Sequence, residues 1–240
     1  MKLVSEQIQE FVINNLDNSL KAVEVGVFDD VNFTQSVTFC DAKWLRLYLD
    51  RLLINGVPTK VVQIVSEVEF IVETDVELTV LEIYSLPKPI LLNGTLSNTK
   101  WEWNKYVDPT TKQNKERDKL PFIWLVSPTE EKTDNYNAGG SKTVIAKLWF
   151  VHWSDWKKLN VDRQDEAIKP LYALLNEFMA TMNRLSNIFD GDSLNYATRD
   201  FPKFGTENEN GIDKALFDST LSAIELDVNF KMIKRYCENC

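Results

Sequence analysis

The spacing of apolar residues changes along this chain, and each change predicts a different element. Near the start, Val4, Ile8, Phe11 and Val12 recur three and four positions apart, with Ser5, Glu6, Gln7 and Glu10 between them. That spacing predicts a helix with one apolar stripe, which needs a sheet to pack on. Asn14, Asn15, Asn18 and Ser19 form the turn-prone cluster that ends it. From 25 to about 103 the helical period gives way to short runs rich in Val, Ile, Phe and Tyr, at 36–39, 44–49, 60–65, 68–72 and 76–84. Asn55-Gly56, set between Leu52-Leu53-Ile54 and Val57, is a two-residue hairpin signal. The stretch reads as a small β-domain of five or so strands, of the kind that closes into a barrel.

The second half is patterned differently. Residues 108–119 are polar and read as a loop or linker. Leu120-Pro121-Phe122-Ile123-Trp124-Leu125-Val126-Ser127-Pro128 reads as a short strand bracketed by prolines, and 129–141, with Gly139-Gly140, as a second exposed loop. In 143–153 both alternating faces are mostly apolar, which predicts a central strand covered on both sides. Ile168, Leu171, Leu174, Leu175, Phe178, Met182 and Leu185 form the clearest helical stripe, over 162–185, and Pro170 predicts a break or kink within it. Residues 189–211 read as a loop. In 221–232, Ile224, Leu226, Val228, Phe230 and Met232 alternate with polar or small residues, predicting a strand with one buried and one wet face. That buried face is expected to pack on Leu171, Leu175, Phe178 and Met182.

These elements add up to an α+β chain: a mixed or antiparallel sheet packed against two helices, with an inserted, barrel-like β-domain. The expected domains are 1–24 with 119–240, an insertion at 25–105, and a linker at 106–118. The length of 240 residues allows one or two domains, and 44 % hydrophobic with 26 % charged residues is an ordinary globular balance that argues against a disordered chain.

Charge narrows the partners. Lys and Arg number 27 against 36 Asp and Glu, a net charge of −9. No basic run exceeds two residues, as at Lys157-Lys158, so a protein that grips DNA is disfavoured, whereas an acidic wall past which DNA slides is compatible. The opening Met1-Lys2-Leu3-Val4-Ser5-Glu6-Gln7 lacks the pattern of a signal peptide, and no window approaches a membrane span, so no membrane partner is expected. The sequons at Asn32 and Asn93 carry little without a secretory signal. Three cysteines, Cys40, Cys237 and Cys240, suggest a reducing cytoplasm.

Chemistry-bearing motifs are thin. The single histidine, His152, lies in an apolar strand and reads as structural. Cys237-Glu238-Asn239-Cys240 has the spacing of a thiolate pair but lacks the further ligands of a zinc site. Asp190-Gly191-Asp192-Ser193 begins like a calcium loop, but Asn195 and Phe201 stand where glycine and a bidentate glutamate belong. Residues 138–143 lack the spacing of a phosphate-binding loop, and the acid pairs Asp29-Asp30 and Glu130-Glu131 read as solvated. No catalytic residue, cofactor or metal is expected. Trp101, Trp103, Trp124, Trp149, Trp153 and Trp156 crowd the middle of the chain, as a core or a subunit interface would have them.

The order of helix, Trp-centred strand ending in Ser-Pro, long strand, amphipathic helix and terminal strand resembles the tail-terminator or tail-completion proteins of tailed bacteriophages, with the flavour of neck ring proteins from crAss-like phages of Bacteroidetes hosts. The resemblance rests on the 121–128 strand, Lys147-Leu148-Trp149-Phe150-Val151, the run from Asp162 to Tyr172 and the run from Leu221 to Phe230, and covers 1–20 and 120–233. The β-rich stretch 25–103 departs from it as an insertion. The resemblance implies a virion protein of the neck or tail, assembled in the host bacterial cytoplasm. Its copies would close into a ring, six- or twelve-fold, that joins the portal or other neck and tail proteins and lets DNA through without sequence-specific contact.

For such a ring the expected interface residues are Lys112, Lys115 and Arg117 in the first polar loop, Glu130, Glu131 and Asp134 in the second, and Trp101, Trp103 and Trp156. The basic loop of one copy would meet the acidic loop of the next. Two other classes compete: a non-viral binding module whose β-domain holds a small ligand or peptide, and a carboxylate-based hydrolase.

Overall fold

The computed structural model describes residues 3–106, 119–133, 141–155, 157–209, 212–215 and 220–233. The chain divides into two units: 17–88, and 1–16 together with 89–240. It is an α+β protein. Its first helix, α1 (Val4–Gln7), runs on through a wide π-type turn, Ile8–Val12, and a tight 3₁₀ turn, Ile13–Asn15. Val4, Ile8, Val12 and Ile13 are buried, as the apolar spacing requires.

The 17–88 unit is built from β1 (Ser19–Leu20), β2 (Ala22–Val25), β3 (Thr34–Phe39), β4 (Leu52–Ile54), β5 (Val57–Thr59), β6 (Val61–Ile64), β7 (Glu69–Glu73) and β8 (Tyr84–Ser85). Two four-stranded sheets form, in the orders β1-β8-β4-β5 and β2-β3-β7-β6, every pairing antiparallel. Only Lys21 separates β1 from β2, and only Lys60 separates β5 from β6. Two bent strands therefore run from one sheet into the other, which gives the unit a barrel-like form. Asn55 and Gly56 have φ of 52° and 82°, the left-handed pair that a tight β4–β5 hairpin demands. Phe39 sits at the centre, its ring 5.4 Å from Tyr84 and 6.2 Å from Phe70. The run 44–49, expected as a strand, is a buried 3₁₀ turn, Leu45–Tyr48; it sends Trp44, Leu45, Leu47 and Tyr48 into the core together, which alternating strand geometry cannot do. Of 76–84, only Tyr84 is in a strand.

The larger unit adds β9 (Ile90–Gly94), α2 (Leu96–Lys105), β10 (Phe122–Val126), β11 (Glu130–Thr133), β12 (Ser141–Trp153), α3 (Asn160–Arg163), α4 (Lys169–Arg184), β13 (Phe189–Phe204), β14 (Thr206–Glu209), β15 (Ile212–Ala215) and β16 (Leu221–Ile233). Its main sheet has the order β13-β16-β12-β10-β9, with β11 also on β12, and β14 pairs β15 apart from it. β9 runs parallel to β10 and the other pairs are antiparallel, so the sheet is mixed. β12 and β16 pair along their whole thirteen-residue lengths.

α4 packs on one face of this sheet, against β12, β13 and β16, with Phe178 edge-on to Phe150 at 5.4 Å. Val144, Ala146, Leu148 and Phe150 of β12 and Ile224, Leu226, Val228 and Phe230 of β16 are all buried on alternate positions. Among the described residues, the other face carries a second core at one end. Trp103, Phe122, Trp124, Val151, Phe204, Leu221 and Ala223 form it. The expected two-sided cover of β12 therefore holds around Val151, while Ile145 remains 38 % exposed. Pro170 does not break the helix. It occupies the first turn of α4, directly after a π-type turn at Gln164–Ile168, where the wider backbone eases the clash a proline makes with the carbonyl four residues back.

Four further features differ from the sequence expectation. The insertion spans 17–88 rather than 25–105, because β9 pairs with β10 and β1 and β2 already belong to the barrel. Residues 96–105, placed in the β-domain, are the helix α2, begun by Thr95, whose hydroxyl accepts from the Asn98 N–H. Residues 189–204, expected as a loop, are the long edge strand β13, and the Asp-Gly-Asp-Ser run falls where its register slips between Asp190 and Asn195. Residues 130–133, also expected as loop, are β11.

Candidate functional site

Lys112, Lys115, Arg117, Asp134 and Trp156 lie outside the described residues. Glu130 and Glu131 do not stand in a loop; they are in β11, and each is held by a lysine of its own chain, Glu130 by Lys132 at 3.0 Å and Glu131 by Lys142. Trp103 is 2 % exposed, its ring 5.1 Å from Phe122, with the Lys119 ammonium over its other side at 4.9 Å. Its indole belongs to the chain's own core. Trp101 is the exception. Two residues earlier on α2 it points outward, 59 % exposed, and the Lys105 ammonium lies 3.7 Å from its ring centroid.

The position of α2 is fixed by a close approach at Gly94. Its φ of 142° is a conformation that side chains disfavour, and a Cβ there would sit 2.9 Å from Asn98. The freed carbonyl of Gly94 accepts from the Trp124 indole N–H at 2.9 Å and from the Ser127 N–H at 3.0 Å. The helix that carries Trp101 outward is thus seated directly on the Trp124 strand.

The face of the main sheet opposite α4 also carries a charged cluster. Glu225 has 5 % side-chain exposure and is held by Lys147 at 3.0 Å, with Arg199 4.0 Å away; Lys147 also reaches Asp227 at 3.4 Å. The hydrogen bond from Lys147 to Glu225 holds the ammonium pKa above its ordinary value. Beside this cluster Trp149 stacks edge-on to Phe201, 4.7 Å between centroids. Lys147 bonds one oxygen of the Glu225 carboxylate, while the other, Oε1, is buried without a hydrogen bond, with Arg199 4.0 Å from it. His152 lies on the helix-covered side of the same strand, half-buried. Among the described residues no three of His, Cys, Asp and Glu gather as metal ligands, and Cys237 and Cys240 lie outside them.

The barrel offers a cavity. A cleft of about 590 Å³ opens beside β5, β7 and the segment that follows β7. Ile54 and Leu78 form its buried floor, and Val57 and Val76, each 64 % exposed, its walls. Glu73, Asp75, Glu82 and Lys60 stand around it, an acidic surround. Gln35 fixes the floor. Buried in β3, it accepts from the Leu78 N–H at 2.7 Å and donates to the Leu78 and Gly26 carbonyls at 3.3 and 2.8 Å. Tyr84 braces the next turn, donating to the Thr79 carbonyl at 2.8 Å; burial, with Glu82 nearby, pushes its pKa up to about 12. Glu82 is itself tied to Asn55 of the hairpin.

The barrel's exterior is unusually aliphatic. Val23, Val27, Val31, Val62, Val65, Val80, Leu81 and Ile83 are all exposed, from 44 % to 93 %. Sequence reasoning missed both this surface and the cleft. Val76, Val80 and Leu81, read as part of a strand, lie in a stretch that the structure leaves unpaired. No family model matches the chain, and no curated protein matches it.

Proposed function

We propose that this chain is a structural ring subunit of a tailed-phage neck or tail, joining the portal to the tail around the DNA exit path and performing no catalysis. The observation that supports it best is the open sheet of the larger unit. Among the described residues its terminal strands, β9 and β13, each pair with one neighbour only. Such edges, one of them sixteen residues long, are surfaces on which a second chain continues a sheet. Copies joined edge to different edge make a head-to-tail contact, and a head-to-tail contact whose rotation closes makes a ring. The order of elements that resembles tail terminators, and the net charge of −9, agree with a subunit that faces DNA without holding it.

Electron microscopy of the particle that contains the protein, with the chain labelled at its terminus, tests this. A ring at the head–tail junction carrying the label is the expected result; label elsewhere, or absent from particles, overturns the reading. The cleft in the barrel favours a second reading, a binding module for a small ligand or peptide. That reading expects a saturable ligand and no ring.

A further inference from the structure

We infer that Trp101 and Lys105 of one copy dock into the barrel cleft of a second copy, a knob-and-hole contact that supplies register to the ring; the inference rests on the ring reading above. The knob is preformed. Trp101 stands out from α2 with the Lys105 ammonium 3.7 Å from its ring, so aromatic surface and positive charge are presented as one group. Tryptophan is among the side chains that dominate interface energetics, and a cation on its ring gains strength when a partner desolvates the pair. Lys100, one position before Trp101, adds a second cation to the same helix.

The hole has the opposite character. It is an open cleft whose floor and walls are Ile54, Leu78, Val57 and Val76, an apolar strip on which an indole can lie. Glu73 and Asp75 are exposed carboxylates at its margin. An indole on the aliphatic floor with its ammonium against those carboxylates satisfies both halves of the knob at once. Charge complementarity therefore selects a second copy of this chain as the occupant: the acidic margin repels the phosphates of nucleic acid and attracts a lysine-bearing aromatic knob. Knob and hole are different surfaces, so the contact is head-to-tail, the type a ring requires.

The experiment uses sedimentation velocity on the full chain across a concentration series, with thermal melting as the folding control. The knob variant is Trp101→Ala with Lys105→Glu; the cleft variant is Glu73→Lys with Asp75→Lys. All four side chains are exposed, so melting temperatures stay near that of the unaltered chain. The unaltered chain is expected to associate, and each variant to associate at least about tenfold more weakly. The two variants mixed should form dimers and nothing larger, because the knob variant keeps a cleft and the cleft variant keeps a knob. Variants that associate like the unaltered chain overturn the knob-and-hole contact and leave the ring reading standing on its sheet edges. An unaltered chain that remains monomeric at every concentration also overturns the contact, while the ring reading is judged separately by the label on the particle.

Discussion

The two units manage backbone and side chains in opposite ways. The 17–88 unit joins two sheets of short strands through the shared bends at Lys21 and Lys60, yet it leaves Val27, Leu81, Ile83 and several other aliphatics in water. The larger unit buries its aliphatics between α4 and the sheet and in the second core under Trp103, yet among the described residues β9 and β13 each pair on one side only. One unit can be extended by strand pairing and the other by apolar side-chain contact. A subunit equipped with both types of surface has two chemically distinct ways to meet a neighbour, and changes in one unit should leave the other's surface intact.

The largest effect expected from a single change lies in the core of the larger unit. Phe230→Ala removes a ring 5.6 Å from Phe189 at 1 % exposure and should cost about 3–5 kcal/mol. Urea denaturation reads the loss, and hydrogen exchange should show it in 141–233 with 17–88 unchanged. Equal loosening of both units would break the division between them.

Next comes a polar change in the barrel. Gln35→Ala strips the Leu78 N–H and the Gly26 carbonyl of buried partners and should cost about 1–3 kcal/mol. Because Leu78 is the cleft floor, this variant should also bind the proposed knob less well than its stability loss explains. A variant with weakened folding but unaltered association would separate Gln35 from the cleft.

A smaller effect depends on pH. Ser19 and Lys43 hold Asp17 at a pKa of about 2, below the ordinary 3.8. The folded chain thus favours the ionised form, and the contribution is complete above pH about 4, fading as pH falls through about 2. Asp17→Asn should lower the barrel's denaturation midpoint at pH 7, and the gap to the unaltered chain should narrow below pH about 4 and be reduced to a small fraction at pH 2. A gap that keeps its pH 7 size at pH 2 would assign the effect to shape rather than charge. The smallest effect on folding is expected from Leu81→Ser, at most about 0.5 kcal/mol, since the side chain is 88 % exposed. Scanning calorimetry checks it; a larger loss would mean that the aliphatic exterior is structural.

Legibility in the sequence followed burial. β12 was plain because it is apolar on both faces over eleven residues, β16 because of its long alternation, although its expected wet face is buried at Leu221, Ala223 and Glu225, and α4 because its stripe persists over four turns. β13 was hidden by its edge position. One face of it carries Ala197, Arg199 and other exposed residues, and Pro202 and the Asp-Gly-Asp-Ser run imitate a loop. α2 was hidden because only Thr99 and Trp103 of its ten residues are buried, too few to show a period. The barrel-like form was partly visible through the Asn55-Gly56 turn, but it depends on partners such as Ser19 and Ser85, far apart in sequence. The cleft was invisible for the same reason: its floor joins Ile54 to Leu78 across the fold. Among the interface residues, Trp101 and Trp103 look alike in sequence, and only their angular separation on a helix sends one inward and the other out.

The clasp at the base of the barrel has a consequence for inheritance. Ser19 pairs with Ser85 and Leu20 with Tyr84, while Asn18 and Leu86 are bonded to each other through main chain and side chain. The incoming and outgoing ends of 17–88 are therefore stitched side by side, one strand spacing apart. Such a segment can be spliced into a host loop, or out of it, with the host sensing only a short connection between Leu16 and Pro89. A gene that lost these seventy-odd codons and joined the two ends by a short turn would keep every strand pairing of the main sheet. The barrel is, in that sense, a portable cassette, free to diverge at its own pace while the sheet and α4 remain under the constraints of their shared core.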